Sequence, residues 1–231
     1  MYLIYDLHEL TSSGAAAYEA LLRDLWVPAV AQQPGARLTW CARGMPNSVS
    51  IYELVTLTVV PDGAALERFG TRVREGDLRE PAAKLADTRV GLQTRILAPL
   101  CFNRYAPDIE TLPLHAPEPA NAMYIQDFVP PRPGMQREYE RVMNDRYFGS
   151  GDVGGSDYPL TGGFESVHGG GPLPDNVMIT TVSTAQAAAW LIAQGSLREQ
   201  VVPGTWLYDA FKLRDTWTSR LLRAVPWSPT I

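Results

Sequence analysis

Cysteine and histidine are scarce in this 231-residue sequence, which has two of the first and three of the second. Cys41 and Cys101 lie far apart in the chain, without a CxxC pair or a neighbouring pair of histidines. This spacing excludes a disulfide framework and the usual zinc sites. The sequence therefore predicts a protein without a metal site, in a reducing, cytoplasmic compartment.

Dense basic stretches and long apolar runs are also missing. Lys and Arg (20) are outnumbered by Asp and Glu (25), and the basic residues are scattered, so nucleic acid is not an expected partner. No apolar run approaches the roughly 20 residues that span a bilayer. The N-terminal MYLIYDLHEL has acidic residues within its apolar stretch and no basic leader, which favours a strand over a signal peptide. We expect a protein that binds neither nucleic acid nor membrane.

Hydrophobic periodicity indicates the element order β-α-β-β-α-β, and the order occurs twice. A proline-rich stretch without periodicity separates the two copies and is predicted to be a linker. The predicted domains are a first ferredoxin-like repeat over 1–102, the linker over 103–121 and a second ferredoxin-like repeat over 122–231.

Short sequence echoes support an internal duplication. Met1-Tyr2-Leu3 recurs as Met123-Tyr124-Ile125, and Arg95-Ile96-Leu97 recurs as Arg220-Leu221-Leu222. An antiparallel sheet with helices on one face must cover its other apolar face. We therefore predict an α+β fold in which two antiparallel sheets pack face to face as an intramolecular α/β barrel around a small-molecule pocket. Such a pseudo-dimer would be a monomer or a homodimer.

Three short motifs resemble a known family. Residues 4–8 (IYDLH) are similar to the opening strand of NIPSNAP-type domains, residues 44–49 (GMPNSV) to their hairpin, and residues 94–99 (TRILAP) to their closing strand. The family belongs to the dimeric α/β-barrel superfamily. That superfamily includes cofactor-free monooxygenases of polycyclic aromatic substrates, polyketide cyclases, lactone isomerases and haem proteins. The resemblance therefore implies a barrel with a ligand pocket more firmly than it implies one reaction.

Three residues are candidate catalytic groups. Asp6 and His8 are two apart on a strand, so their side chains share one face roughly 7 Å apart. We expect that face to be the barrel interior, where the carboxylate would orient the imidazole and raise its pKa for acid–base chemistry. Contacts with water at a strand end are the alternative. Glu53 lies in an apolar strand and is either an acid of raised pKa or half of an ion pair, with Arg43 or Arg95 as partner.

Polar and aromatic side chains on the predicted strands are candidate substrate-binding groups. We predict this role for Trp40, Arg43, Gln93, Arg95, Tyr124, Gln126, Glu165 and His168. Two glycine-rich segments carry weaker signals: 149–163 is typical of a surface loop or a lid over the pocket, and 169–171 of a flexible hairpin.

The leading functional hypothesis is an enzyme without an organic cofactor that acts on a hydrophobic, aromatic or polyketide-like small molecule. The reaction would be oxygenation, cyclisation or isomerisation, with His8 as the acid–base group. One alternative is a non-catalytic ligand-binding or scaffold protein. Another is a haem protein, in which His8, His115 or His168 would supply the axial ligand.

Overall fold

The computed structural model has the predicted fold class. The strands are hydrogen-bonded in the closed order β1-β3-β2-β8-β5-β7-β6-β4, an antiparallel barrel in an α+β protein. Most of the two predicted glycine-rich segments lies outside the described residues, which are 1–118, 120–148, 160–169, 175–193 and 201–229.

The strands and helices follow the predicted order. The strands are β1 (Tyr2–Leu10), β2 (Arg37–Gly44), β3 (Glu53–Val60), β4 (Arg89–Pro99), β5 (Met123–Val129), β6 (Leu160–His168), β7 (Asn176–Val182) and β8 (Thr218–Ala224). The helices are α1 (Ala15–Leu21), α2 (Val27–Ala31), α3 (Gly63–Arg74), α4 (Arg79–Ala86), α5 (Gln136–Val142), α6 (Thr184–Ala193) and α7 (Trp206–Leu213). Two π-helical segments, Leu22–Trp26 and Met143–Phe148, directly follow α1 and α5.

The chain divides into two compact units. The first comprises residues 1–98, 106–121 and 223–231, and the second comprises residues 99–105 and 122–222. The predicted linker is therefore divided, with residues 106–121 in the first unit and residues 103–105 in the second. Within the linker, the carbonyl of Ile109 accepts a hydrogen bond from Arg37 Nε at 3.2 Å.

The core of the first unit lies between its helices and one face of its sheet. Ile4 of β1 packs against Val30 of α2 and Phe69 of α3, and Leu10 packs in a cluster with Tyr18 of α1. Successive strand residues alternate between faces, so the even-numbered residues of β1 face the helices. The odd-numbered residues of β1 face away from them.

The second unit repeats this arrangement. Val129 of β5 packs with Tyr139 of α5, with Met143 at the start of the π-helical segment, and with Ala210 and Leu213 of α7. All five side chains are buried. Val129, Asp127 and Ile125 therefore share the face of β5 that the helices cover.

Two helices differ from the sequence prediction. Residues 79–86 form α4, a second helix before the closing strand that the order β-α-β-β-α-β does not include. It buries Pro81 and Leu85 and carries an ion pair between Glu80 and Lys84. The helix at Trp206–Leu213 was not predicted, although Thr205 caps it by accepting from the Tyr208 N–H. Both are eight residues long, which is too short for helical periodicity to stand out in a sequence.

The β2–β3 connection permits a small test of backbone strain. Asn47 has a φ of 63° in the turn where the Ser48 N–H donates to the Met45 carbonyl. The left-handed conformation costs an ordinary L-residue about 1 kcal/mol more than it costs Asn or Gly. We therefore expect Asn47→Ala to lower the free energy of unfolding by about 1 kcal/mol and Asn47→Gly to leave it nearly unchanged, as measured by urea unfolding. Equal losses in the two variants would contradict this account.

Candidate functional site

A buried histidine on β1 is the centre of the candidate site. His8 is 4% exposed and points from the sheet toward α1, because it shares the even-numbered face of β1. Its Nδ1 lies 2.7 Å from the Tyr18 hydroxyl, and its Nε2 lies 3.1 Å from Oγ1 of Thr56 on the adjacent strand. Both ring nitrogens are therefore engaged within the protein.

A nearby arginine determines how the imidazole is protonated. Arg89 Nη1 lies 3.5 Å from His8 Nδ1. A guanidinium only donates hydrogen bonds, so Nδ1 acts as the acceptor, and the Tyr18 hydroxyl donates to it as well. The single ring proton then lies on Nε2, which donates to Thr56. His8 is held as one neutral tautomer.

The electrostatics of His8 are the opposite of the sequence prediction. Burial, reinforced by the positive charge of Arg89, lowers the pKa of His8 to about 3. The expected rise of this pKa through Asp6 is therefore wrong, because desolvation of the charged imidazolium is the largest influence and the charge that acts on the ring is the cation of Arg89. Burial also raises the pKa of Tyr18 above its ordinary value. Both groups are neutral at pH 7.

Asp6 is the acidic member of the cluster. It is half-buried, two residues before His8 on the same face of β1, and its carboxylate accepts a hydrogen bond from the Thr94 hydroxyl of β4. Burial raises the pKa of Asp6, while the bond from Thr94 and the charge of Arg89 act against that rise. A carboxylate of raised pKa that keeps part of its surface accessible can exchange protons with a ligand.

The predicted orientation of Asp6 and His8 needs correction. Both were expected to face the barrel interior, but they lie on the face of β1 that the helices cover. Ile4 and Leu10 lie on the same side of β1 as Asp6 and His8. Both pack into the clusters that face the helices, which fixes this side as the helix-covered one. The cluster formed by Asp6, His8, Tyr18, Thr56, Arg89 and Thr94 is called the His8 cluster below.

Four other predicted site residues lie on the opposite face of the same sheet. Directly paired strand residues point to the same side. Glu53 pairs with Glu9, Gln93 with Leu7, Arg95 with Tyr5, and Trp40 with Leu57, which are all on the face away from the helices. The prediction that these side chains share one site with Asp6 and His8 is therefore wrong. Whether they bind a ligand on their own face stays a prediction.

Two of these side chains contact other residues of the same face of the sheet. Arg95 lies with its guanidinium carbon 5.9 Å from the Tyr5 ring centroid, and Gln93 Nε2 donates to Glu9 Oε1 at 3.2 Å. Arg43 instead lies on the helix-facing side, where it forms an ion pair with Glu19 of α1. Arg43 is thus near the His8 cluster in the sheet but is already engaged by a carboxylate.

The predicted residues of the second unit do not gather around one point. Tyr124 and Gln126 are buried on the face of β5 that points away from the helices. Glu165 pairs with Asn176 toward the helix-covered side, and His168 is exposed at the end of β6. Their substrate-binding roles stay predictions.

Four members of the His8 cluster were missed by sequence reasoning. Tyr18 and Thr56 are isolated polar groups in apolar patterns, and Thr94 was considered only as part of a motif. Arg89 carried a usable signal, because an arginine opens the closing strand of the first repeat and another, Arg214, stands shortly before that of the second. Which of these side chains meet depends on the pairing of β1 with β3 and β4, which no local pattern specifies.

Two surface clefts are present in the described part of the chain. One, in the first unit, has a volume of about 370 Å³ and lies between α3 and the Gln33–Ala36 turn. The other, in the second unit, has a volume of about 410 Å³ and lies between α5 and α7. Neither is lined by a member of the His8 cluster.

The described residues also contain no group of three or more His, Cys, Asp or Glu side chains placed to hold a metal ion. No described helix has the length and apolar character needed to cross a membrane.

Two ferredoxin-like repeats in a closed eight-stranded barrel define the fold of the dimeric α/β-barrel proteins, as predicted. Solved structures with this fold cover nearly the whole chain. A "putative monooxygenase" from Fusobacterium nucleatum is 7% identical, with a TM-score of 0.60 over 99% of this chain and 94% of that one. An anthrone oxidase-like protein is 10% identical, with a TM-score of 0.59 over 99% and 92%. A "putative monooxygenase" from Lactobacillus acidophilus is 9% identical, with a TM-score of 0.55 over 99% and 97%.

Comparison of sequences, by contrast, finds no relative. No family model matches the chain, and no curated protein is significantly similar to it. A NIPSNAP domain protein from Burkholderia xenovorans is among the structural neighbours, at 16% identity, with a TM-score of 0.39 over 47% of this chain and 100% of that one. Identities this low establish the shared fold only.

The expectation of a protein without a cofactor is corrected by the same comparison. A DypB variant from Rhodococcus jostii in complex with haem is 10% identical, with a TM-score of 0.51 over 97% of this chain and 92% of that one. Since this fold also holds haem, the fold gives no support to cofactor-free chemistry.

The described residues do not fit a haem ligand at the His8 cluster. Both ring nitrogens of His8 are hydrogen-bonded within the core, whereas an axial ligand needs one nitrogen free. His168 is exposed at a strand end, and the ring of His115 stands edge-on to Trp227 with centroids 5.9 Å apart. None of the three histidines lines either cleft. No step of the chemistry below is therefore assigned to haem.

Proposed function

We propose that this protein is an enzyme of the oxygenase or oxidase type that acts on a hydrophobic, aromatic or polyketide-like small molecule. The observation that carries the proposal is the pairing of a partly accessible carboxyl of raised pKa, Asp6, with the fixed positive charge of Arg89. A base beside a cation is the arrangement that removes a proton from carbon and stabilises the resulting enolate.

Three members of the His8 cluster have distinct proposed roles. Asp6 takes the proton from an acidic C–H or phenolic O–H of the substrate. Arg89 stabilises the oxyanion that develops on the substrate's carbonyl oxygen. His8 does not gain a proton at neutral pH, since its pKa is about 3, and instead holds the Tyr18 hydroxyl in place through Nδ1.

This assignment changes the role first considered for His8. The sequence suggested His8 as the acid–base group and Asp6 as its orienting partner. The direction of the two pKa shifts favours the reverse, because burial raises the pKa of Asp6 toward the working range and moves that of His8 far below it. A catalytic role of Glu53, on the opposite face of the sheet, stays a separate prediction. The cytoplasmic location of the protein also stays a prediction.

The names of the structural neighbours support the substrate class. An anthrone oxidase-like protein and two proteins named as monooxygenases share the fold over nearly the whole chain. Anthrones are aryl ketones with an acidic C–H, which is the kind of group that Asp6 and Arg89 would activate. The His8 cluster supplies the proton transfer of such a reaction.

Oxygen uptake tests the proposal. We expect purified protein, assayed with and without added haem, to consume dioxygen in the presence of anthrones or other hydroxyaryl ketones, with oxidised product detected by mass spectrometry. Tyr18→Phe removes only the hydroxyl that His8 holds, so kcat should fall at least about 10-fold while Tyr2→Phe on the same strand–helix layer leaves it unchanged. Binding of these ketones without turnover under any condition would favour a ligand-binding protein and reject the enzyme.

A further inference from the structure

The second unit contains a counterpart of the His8 cluster, identified by strand register. Tyr2 pairs with the last residue of β3, Val60, and Met123 pairs with the last residue of β7, Val182. Equivalent residues in this part of the two units therefore differ by 121 in number (Met123 against Tyr2), one fewer than in the sequence echo that matched Met123 with Met1. With this difference of 121, Asp127 is the equivalent of Asp6.

The first helices obey the same shift. Tyr139 falls on Tyr18, and both tyrosines are completely buried. The π-helical segment begins at Leu22 in the first unit and at Met143 in the second, again 121 residues apart. π-Helical turns are rare and are found often at functional sites, so their recurrence at one place indicates an inherited feature of the repeat.

The closing strands complete the match. Arg89 is paired with Leu10 of β1, and Arg214 bridges to Pro131, which is the equivalent of Leu10. The hydroxyl of Ser219 donates to the Asp127 carboxylate as that of Thr94 does to Asp6. Both units thus share an aspartate, a hydroxyl, an arginine and a tyrosine, called the Asp–Arg–Tyr framework below.

The two copies differ around the imidazole. The equivalent of His8 is Val129, and the equivalent of Thr56, which accepts from His8 Nε2, is Met178. Neither replacement can take part in a proton-transfer network. The second unit therefore lacks the group that holds the tyrosine hydroxyl in the first.

The two arginines also differ in surroundings. Arg214 is 4% exposed and stacks on Trp217, with its guanidinium carbon 4.6 Å from the ring centroid. Phe211 lies against the same tryptophan, with ring centroids 5.5 Å apart. In the first unit Arg89 is half-exposed and directs Nη1 toward His8. The aromatic side chains thus cover Arg214, whereas Arg89 stays accessible, although both aspartates are half-buried.

We infer that the Asp–Arg–Tyr framework was present before the duplication and that only the first unit has kept it as a working site, with Arg89 as the group that meets the substrate's oxyanion. The copy in the second unit is structural. Arg214 there stacks on Trp217, its positive charge acts against the rise that burial gives the pKa of Asp127, and no ligand meets its guanidinium. This inference rests on the proposed function for the role of Arg89, but its structural half is independent of any activity.

Matched arginine variants test both halves. Methionine has a similar length and no charge, so Arg214→Met leaves the Asp127 carboxylate without its cation and removes the stack on Trp217. We expect its Tm to fall by about 5 °C or more, with kcat of the folded protein within twofold of wild type. Arg89→Met should lose less than half as much in Tm, because its site is partly solvated, but at least about 100-fold in kcat.

A conservative variant keeps the test informative if Arg214→Met does not fold. Arg214→Lys keeps the charge beside Asp127 and should recover most of the lost Tm with unchanged kcat. A loss of kcat in folded Arg214→Lys or Arg214→Met comparable to that of Arg89→Met would overturn the inference, since the second copy would then be catalytic.

The unfolding measurements separate the two proposals. If wild type turns over no aryl ketone, the proposed function fails, yet the Tm comparison still decides the structural half. A larger Tm loss for Arg214→Met than for Arg89→Met supports the closed copy. Equal or reversed losses reject it.

Discussion

Asp6→Asn is expected to lower kcat for aryl-ketone oxidation by about 100-fold or more, the usual contribution of a positioned general base. Asn has the same shape and can still accept the hydrogen bond from Thr94, but it cannot take a proton. The measurement is substrate-dependent oxygen uptake at fixed pH, with circular dichroism and Tm recorded on the same preparation.

The pH profile gives this prediction a second readout. The working form of Asp6 is the carboxylate, so wild-type kcat/KM should fall as pH decreases through a pKa that burial has raised above the ordinary value of 3.8. That acidic limb should vanish from any residual activity of Asp6→Asn. Asp87→Asn, at an exposed position beyond α4, is the matched control and should retain both the rate and the limb. Activity within threefold of wild type in folded Asp6→Asn would remove Asp6 from the mechanism.

His8 is expected to make the folded protein strongly sensitive to acid. Its pKa is about 3 in the native state, whereas an unperturbed histidine in an unfolded chain has a pKa of 6.5. Between these values the unfolded chain binds a proton that the native protein does not, so stability falls as pH falls. The contribution of His8 is complete above about pH 6.5 and is lost progressively toward pH 3. From pH 7 to pH 4.5 the loss should be roughly 2 to 3 kcal/mol in the free energy of unfolding.

The variant His8→Gln isolates this term. Glutamine can accept from Tyr18 and donate to Thr56 but has no proton to gain, so the difference in unfolding free energy between pH 7 and pH 4.5 should shrink by roughly 2 to 3 kcal/mol. Urea unfolding at the two pH values measures it. His168→Gln, at an exposed strand end, should leave the difference unchanged. A pH dependence in His8→Gln equal to that of wild type would show that His8 is not held neutral in the core.

Element type and order followed from local sequence. Hydrophobic periodicity indicated the order of strands and helices, and the echo of Arg95-Ile96-Leu97 in Arg220-Leu221-Leu222 marked the closing strand of each repeat. These features depend on residues close together in the chain, where side-chain periodicity is a direct record of burial. The short helices α4 and α7 escaped detection because eight residues hold barely two turns.

The spacing of Asp6 and His8 correctly placed them on one face of a strand, since the pleat has a period of two. Which of the two faces the helices would cover could not be read from it, because both faces of β1 are largely apolar: Leu3 and Leu7 on one, Ile4 and Leu10 on the other. That choice, and with it the separation of Asp6 and His8 from Glu53, Gln93 and Arg95, is made by packing between distant segments.

Tyr18, Thr56 and Arg89 reach His8 from positions 10, 48 and 81 residues away in the chain. Apolar periodicity therefore predicted the fold class and the order of elements along the chain, because it records which residues of a strand or helix are buried. Only the three-dimensional arrangement decided the chemistry, because strand register brings the charged and hydrogen-bonding groups together, and burial then moves the pKa of Asp6 up and that of His8 down.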